Sequence, residues 1–453
     1  MSLSRRDFAR LIAGSSAIAA MGQLGLSSAL ADTSSYRAMV GVFLFGGNDA
    51  WNMVVPTDGR YATYASQRGP GIALQQSSLA PLTGTAFGLH PSFAPLKAAW
   101  DEGSLGVVLN TGTLYQPLTK SLYSSQPDLR PLNLMSHEDQ QNQWQGMRMR
   151  STNVDGFMGR INDRAPKADL PPLISIAGSQ LALIGDRTSP LILPSNGSIV
   201  RSGYNGATTD AGVKARQLAL DTFADASSFG QVTDLTGKGM SSAYAQAVAA
   251  NAVISATTSV VDKYFVNPAN GAALTSDISR QLLRAARMIE ARGSLGHAKQ
   301  TFFVSQGGYD THVGQLAIHT SVYADLALAL AGFYNAMKAL GLSDNVTAFT
   351  MSDFGRVFKG NSQAGTDHAW GSNHLVVGGA VASGKVHGRY PDMTFGGPED
   401  SANDGRWIPS IATEEYVGAI AQWYGVSAAD LPYVFPNWST WNGGGRGPVP
   451  LFG

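Results

Sequence analysis

The sequence predicts an α/β protein: a mainly parallel β-sheet flanked by helices, with a helical insertion. Short apolar runs that stop at glycine pairs read as strands buried on both faces. Segments of helical spacing alternate with those runs, the pattern of a parallel sheet with crossover helices. The first run is Met39-Val40-Gly41-Val42-Phe43-Leu44-Phe45, ended by Gly46-Gly47. Ser92 to Glu102 follows, with Phe93, Leu96 and Trp100 at helical spacing and a stop at Gly103. Leu105 to Leu109 and Leu173 to Ile176 are the next strands, and Thr301 to Val304 precedes Gly307-Gly308. A long helix is expected over Gln315 to Leu340, apolar at Leu316, Leu326, Leu330, Phe333, Met337 and Leu340 and closed by Gly341. Val346 to Met351 and Leu375 to Val377 complete the strands. Residues 205–295 are rich in Ala, Ser and Thr, and predict helices over 211–227, 239–263 and 276–292 as an insertion or outer layer. After residue 430 glycine, proline and tryptophan dominate, which predicts turns wrapping the surface.

Residues 1–31 read as an address rather than as fold. Arg5-Arg6-Asp7-Phe8 opens a stretch that turns small and apolar at Leu11, and Ala29-Leu30-Ala31 gives a cleavage pattern before Asp32. Paired arginines followed by Phe8 resemble a twin-arginine signal, which makes the export machinery a partner and predicts a periplasmic or secreted protein. The apolar stretch is too rich in Gly, Ser and Ala for a stable membrane anchor, and no later segment is expected to serve as one. The remainder, 32–453, is read as one domain.

Composition excludes several function classes. The 32 basic and 32 acidic residues cancel, and removing the leader's three arginines and one aspartate leaves a net charge of −2. A nucleic-acid binder living on phosphate neutralisation is therefore not expected. With no cysteine, disulfides, thiolate zinc sites, iron–sulfur clusters and cysteine nucleophiles are all ruled out.

Three aspartates share one context: Asp49, Asp310 and Asp353 each follow a predicted strand. Ligands of open parallel sheets bind beyond the carboxyl ends of the strands. If these strands are neighbours, the carboxylates converge, and a divalent cation turns their mutual repulsion into ligation. His312 lies two residues after Asp310, His368 follows Asp367, and His374 comes six residues later. Carboxylate and imidazole without thiolate is the donor set of catalytic zinc, manganese or magnesium sites, with zinc the first choice. His319 is read as helix surface or core. Arg356 suits either an oxyanion or a structural ion pair.

The segments Val42 to Asp49, Ser136 to Trp144, Ser352-Asp353-Phe354-Gly355-Arg356 and Gly365-Thr366-Asp367-His368-Ala369-Trp370-Gly371 resemble the signatures of the exported family numbered 1501 among domains of unknown function. That family is similar to the alkaline phosphatase and sulfatase superfamily. The resemblance therefore implies an alkaline-phosphatase-like fold with metal ligands at strand ends. It implies Asp49 as the first metal aspartate, Asp310 with His312 as the later pair, Asp353 as the next, and His374 or else His368 as the last histidine. Two departures stand out. Asp310 and His312 are closer than the superfamily's spacing, and Phe354 occupies the place of a metal histidine, which His368 would replace.

The superfamily's nucleophile lies after the second strand, where Thr111 and Thr113 stand here. Ser136 beside His137 is another candidate, as a hydroxyl with an adjacent base. No residue fits the modified sulfatase nucleophile, so sulfatase chemistry is disfavoured. The leading expectation is an exported metal-dependent hydrolase of small-molecule phosphate or related esters. The alternative is a non-catalytic secreted binding protein on the same fold.

Overall fold

The computed structural model describes residues 36–165, 170–200, 208–225, 231–382 and 384–453, so the leader over 1–31 lies outside the described residues. In chain order the strands are β1 (Arg37–Leu44), β2 (Val54–Pro56), β3 (Ala80–Pro81), β4 (Phe87–Leu89), β5 (Leu105–Gly112), β6 (Leu173–Ser175), β7 (Leu191–Ile192), β8 (Lys299–Gln306), β9 (Val346–Ser352), β10 (Ser372–Val377), β11 (Val386–His387) and β12 (Ile411–Ala412). The main sheet runs β11-β5-β10-β9-β1-β8-β6-β7, with β12 also on β5. β2, β4 and β3 form a small antiparallel sheet beside it.

β1 is the centre. It pairs in parallel with β8 on one side and β9 on the other, Val40 lying opposite both Phe302 and Ala348. Its side chains alternate between two cores, as a strand covered on both faces requires. Ala38, Val40, Val42 and Leu44 join one core, with the helices Asp277–Glu290 and Gln315–Ala339. Met39 and Phe43 join the other, with His137–Gly146, Phe157–Asp163 and Thr413–Tyr424.

The sheet is mainly parallel, as expected, with one reversal. β10 runs antiparallel to both β5 and β9. Parallel neighbours need a long crossover, usually a helix. Residues 353–371 contain no helix, so the chain returns in the opposite sense.

Three further details refine the sequence expectation. The helix Asp277–Glu290 packs directly on the sheet, burying Ile278, Leu282, Ala286 and Ile289. Gln315–Ala339 is long and apolar enough to cross a membrane by composition, yet Tyr323, Leu326, Leu330 and Phe333 are buried in the core. The tail does not merely wrap the surface, because Trp438 and Trp441 are buried.

β10 also relocates His374. The ring is fully buried between Trp144 and Tyr416, at 5.0 and 5.3 Å between centroids. Among the described residues neither ring nitrogen has a partner. The expected ligand role gives way to a core histidine, because its strand position faces packed aromatics rather than the strand ends. Burial pushes its pKa down from 6.5 to about 3. The unfolded chain therefore takes up a proton that the folded chain refuses, and this group's stabilisation is lost as pH falls below 6.5. Between pH 7 and pH 5 wild type should lose about 2 kcal/mol through this group. His374→Leu should lose that much less in urea unfolding at the two pH values. An equal loss in both proteins would contradict the assignment.

Candidate metal centre at the carboxyl edge of the sheet

The chain leaves β1 through Gly46 and Gly47, with φ of 113° and 81°. A Cβ on Gly46 would lie 2.5 Å from the Asp310 nitrogen, and one on Gly47 would lie 2.4 Å from the Phe354 ring. Only glycine permits this turn and this closeness together. The loops after β8 and β9 thereby close against the loop after β1. The Gly46 N–H donates to Asp353 Oδ2 at 3.2 Å.

Three imidazoles meet Asp310 at this edge. His137 is the first residue of the helix His137–Gly146, whose N-cap is Ser136. Its Nδ1 lies 2.6 Å from Asp353 Oδ2, which also accepts from Gln141 Nε2 at 2.8 Å. His368 Nδ1 lies 2.9 Å from the Met135 carbonyl, and His312 Nδ1 lies 3.0 Å from Asp367 Oδ1. Each Nδ1 faces an oxygen acceptor, and the tautomer protonated there turns the Nε2 lone pair toward Asp310.

Those lone pairs face one another. His137 Nε2 and His368 Nε2 are 3.1 Å apart, and His312 Nε2 is 3.2 Å from His368 Nε2. Asp310 lies 3.4 Å from His137, 3.0 Å from His312 and 3.2 Å from His368. Zinc bonds of about 2.0–2.1 Å in a tetrahedron give ligand separations of about 3.3 Å. The tightest group is His137, Asp310 and His368, whose donor atoms all lie within 4.8 Å of one another and could hold a metal ion. Asp353 Oδ1 is buried and without a partner among the described residues, a further unused donor beside the group. The residues present fit a divalent ion.

The electrostatics are uneven around this point. The hydrogen bond that His137 donates to Asp353 holds its pKa above the usual imidazole range against the opposing effect of burial. Burial lowers that of His368. Burial alone would raise the Asp310 carboxyl, but the Arg356 hydrogen bond and charge bring it below the usual range. Arg356 is itself buried: it donates to Asp310 Oδ1 at 2.7 Å, to Gly46 O at 3.3 Å and to Thr366 Oγ1 at 3.2 Å. It is a structural partner of Asp310, not an exposed clamp for an oxyanion. Phe354, in the place of the superfamily's histidine, packs its ring 4.8 Å from that of His137 and 4.7 Å from that of His368.

The other sequence-derived candidates fall elsewhere. Asp49 does follow β1, but it caps the helix Ala50–Met53, accepting from Trp51 N at 3.3 Å. Its Oδ2 is taken by Arg68 and Gln315, so its charge is already balanced in the interior. Thr113 is buried and accepts from Gln140 Nε2 at 3.2 Å, with no basic partner among the described residues. Ser136 donates to Asp139 Oδ2 at 2.7 Å, not to His137. Asp310, His312, Asp353, Asp367 and His368 thus meet at one place, while Asp49 and His374 are not among the groups gathered there. Sequence reasoning placed His137 as a base for Ser136 and missed it as the third converging imidazole. A signal existed: a histidine directly after a serine cap sits in the first turn of a helix.

The fold and the site together define an α/β protein with a carboxylate–imidazole cluster at its strand ends. A model of the family described as Protein of unknown function (DUF1501) matches residues 36–403, and the chain belongs to that family. A search of the curated proteins finds no match. Among solved structures, the chain is similar to Ps i-CgsB in complex with k-i-k-neocarrahexaose at 9% identity and a TM-score of 0.36, covering 89% of this chain and 76% of that one. It is similar to a mutant of alkaline phosphatase PafA at 12% identity and a TM-score of 0.27, covering 71% and 63%. At these scores neither likeness carries an argument about this chain.

Gly46→Ala tests the closure of the loops. Strain at positive φ and the contact with Asp310 should lower unfolding stability by about 1–3 kcal/mol. A chemical denaturation midpoint equal to that of wild type would show that the loops close without it.

Proposed function

We propose that the protein is an exported metal-dependent hydrolase of phosphate or related esters. The observation that supports it is the convergence of His137, His368 and the Asp310 carboxylate on one point, with His312 Nε2 beside His368 at 3.2 Å. His137, Asp310 and His368 would hold the ion, with His312 beside them and Asp353 and Asp367 fixing the tautomers of His137 and His312. Three protein ligands leave a position open, the arrangement of catalytic rather than structural zinc. A divalent ion bound there supplies a Lewis acid for an ester oxygen and for water.

The chain's own groups divide the remaining work. His312 and Asp310 are each 45% exposed and form the side a substrate approaches. His312, held through Nδ1 by Asp367, presents a proton-accepting Nε2 on that side. Neither Thr113 nor Ser136 turns its hydroxyl toward the cluster, which favours water over a side chain as the attacking group. That same observation favours the second reading, a secreted binding protein that uses the centre without turnover.

Protein purified from the exported fraction without chelator should carry zinc, manganese or magnesium by elemental analysis. Asp310→Ala should lose the ion, and Asp353→Asn should weaken its affinity roughly 10–100-fold in a chelator competition. Ser136→Ala should keep it. Wild type without bound metal would overturn the metal reading. Metal without turnover of phosphomonoesters, phosphodiesters and sulfate esters would favour the binding protein.

Export is proposed from the paired arginines and the cleavage pattern. Arg5→Lys with Arg6→Lys should stop export, since two lysines keep the charge but lose the guanidinium fork. The exported chain should begin at Asp32 on N-terminal sequencing, and Met1 there would count against the signal.

A further inference from the structure

The loop that leads into His137 also encloses a cleft of about 400 Å³, lined by Tyr123, Arg130, Leu132, Leu134, Met135 and Arg150 among others. The cleft and the metal centre share a wall. Met135 lines the cleft, and its carbonyl is the acceptor for His368 Nδ1 at 2.9 Å. The wall is held in a costly conformation: Asn133 and Met135 have φ of 46° and 71°. Such strain persists only where surrounding contacts fix it, and it gathers at functional sites. Here Gln140 Oε1 accepts from Met135 N at 2.5 Å, and Leu132 N donates to Met149 O at 2.9 Å.

Two arginines line the cleft. Arg130 donates from Nε to Tyr123 O at 2.6 Å and lies 4.1 Å over the Tyr123 ring. Arg150 donates from NH1 to Arg130 O at 2.5 Å. Asp128 also lines the cleft, 3.4 Å from Arg150 and 98% exposed, a surface pair of little strength. Both guanidiniums are thus oriented by carbonyls and an aromatic face rather than neutralised by buried acids. An oriented guanidinium matches the two oxygens of a carboxylate, sulfate or phosphate. Tyr123, Leu132 and Leu134 add apolar surface for the ring or chain that carries the anion.

We infer that this cleft is an anion subsite, taking an organic oxyanion borne on a ring. Resting on the hydrolase reading, the substrate class is then an ester with a second anionic group besides the one that reacts. Arg130 and Arg150 bind that group, and the Met135 carbonyl keeps the subsite and His368 in fixed relation.

Phenyl phosphate is the probe, titrated calorimetrically into the full mature chain after its metal has been stripped. Wild type should bind saturably. Arg130→Met with Arg150→Met should bind roughly tenfold or more weakly, the loss of a charge-assisted contact. Asp310→Asn should bind as wild type does, since the subsite is separate from the metal group. The double variant should retain wild-type metal affinity, which shows that the loop holding His368 is still folded. If the double variant does lose the loop, Arg130→Lys serves instead: it keeps the charge, loses the fork and should bind with intermediate affinity. Equal binding by wild type and the folded arginine variants, or no saturable binding by wild type, would overturn the subsite. Binding of phenyl phosphate by a wild-type protein that never holds metal would sink the hydrolase reading and leave the subsite standing.

Discussion

Electron pairs forced to face one another organise this molecule's functional edge. His368 Nε2 lies within hydrogen-bond distance of both other Nε2 atoms and of the Asp310 carboxylate, while each Nδ1 already faces an oxygen. Such a group repels itself unless a cation sits within it. The surroundings hold the donors in place rather than relieve them. Asp353, Asp367 and the Met135 carbonyl fix the rings from behind, and the Phe354 ring packs beneath two of them. Ordering of this kind before binding is what distinguishes a site from a chance collection of polar surface groups.

The interior charges answer the same constraint. Asp49 and Arg68 form a buried pair, and Gln315 joins Asp49 to Thr366, which in turn accepts from Arg356. Arg356 then reaches Asp310. A continuous chain of hydrogen bonds therefore runs from a fully buried carboxylate to the exposed one at the centre. Every member except Asp310 is fully or almost fully buried, where an unmet polar group is expensive, so removing one link costs each neighbour a hydrogen bond. Asp49 belongs to the support of the site through this chain, although it is not among the converging donors.

Much of this was legible in the sequence, and the gaps have physical causes. The apolar runs marked β1, β8 and β9 correctly, because strands buried on both faces leave an unbroken signature. Strand-end logic then placed Asp310 and Asp353 at one edge. It could not tell that Asp49 would find Arg68, since that partner lies 19 positions along the chain in another helix. His374 misled for a related reason. Its spacing from His368 suggests a ligand, but strand direction decides which way it faces, and β10's reversal depends on the missing crossover helix. His137 was visible as a residue, but its reach to Asp353 spans 216 positions and only the closed fold reveals it.

The reversal of β10 has a consequence for how the site comes into being. Asp353, Phe354, Arg356, Thr366, Asp367 and His368 all lie in the single excursion between β9 and β10, two strands that are neighbours in the sheet. Closing a short loop between adjacent strands costs little chain entropy, and that cost grows only slowly with length. Half of the centre is therefore one contiguous cassette that can organise locally, and it awaits only Asp310 with His312 from one distant segment and His137 from another. Insertions within 353–371 would alter the chemistry directly, whereas the described part of the connection from β7 to β8 supplies none of the converging donors.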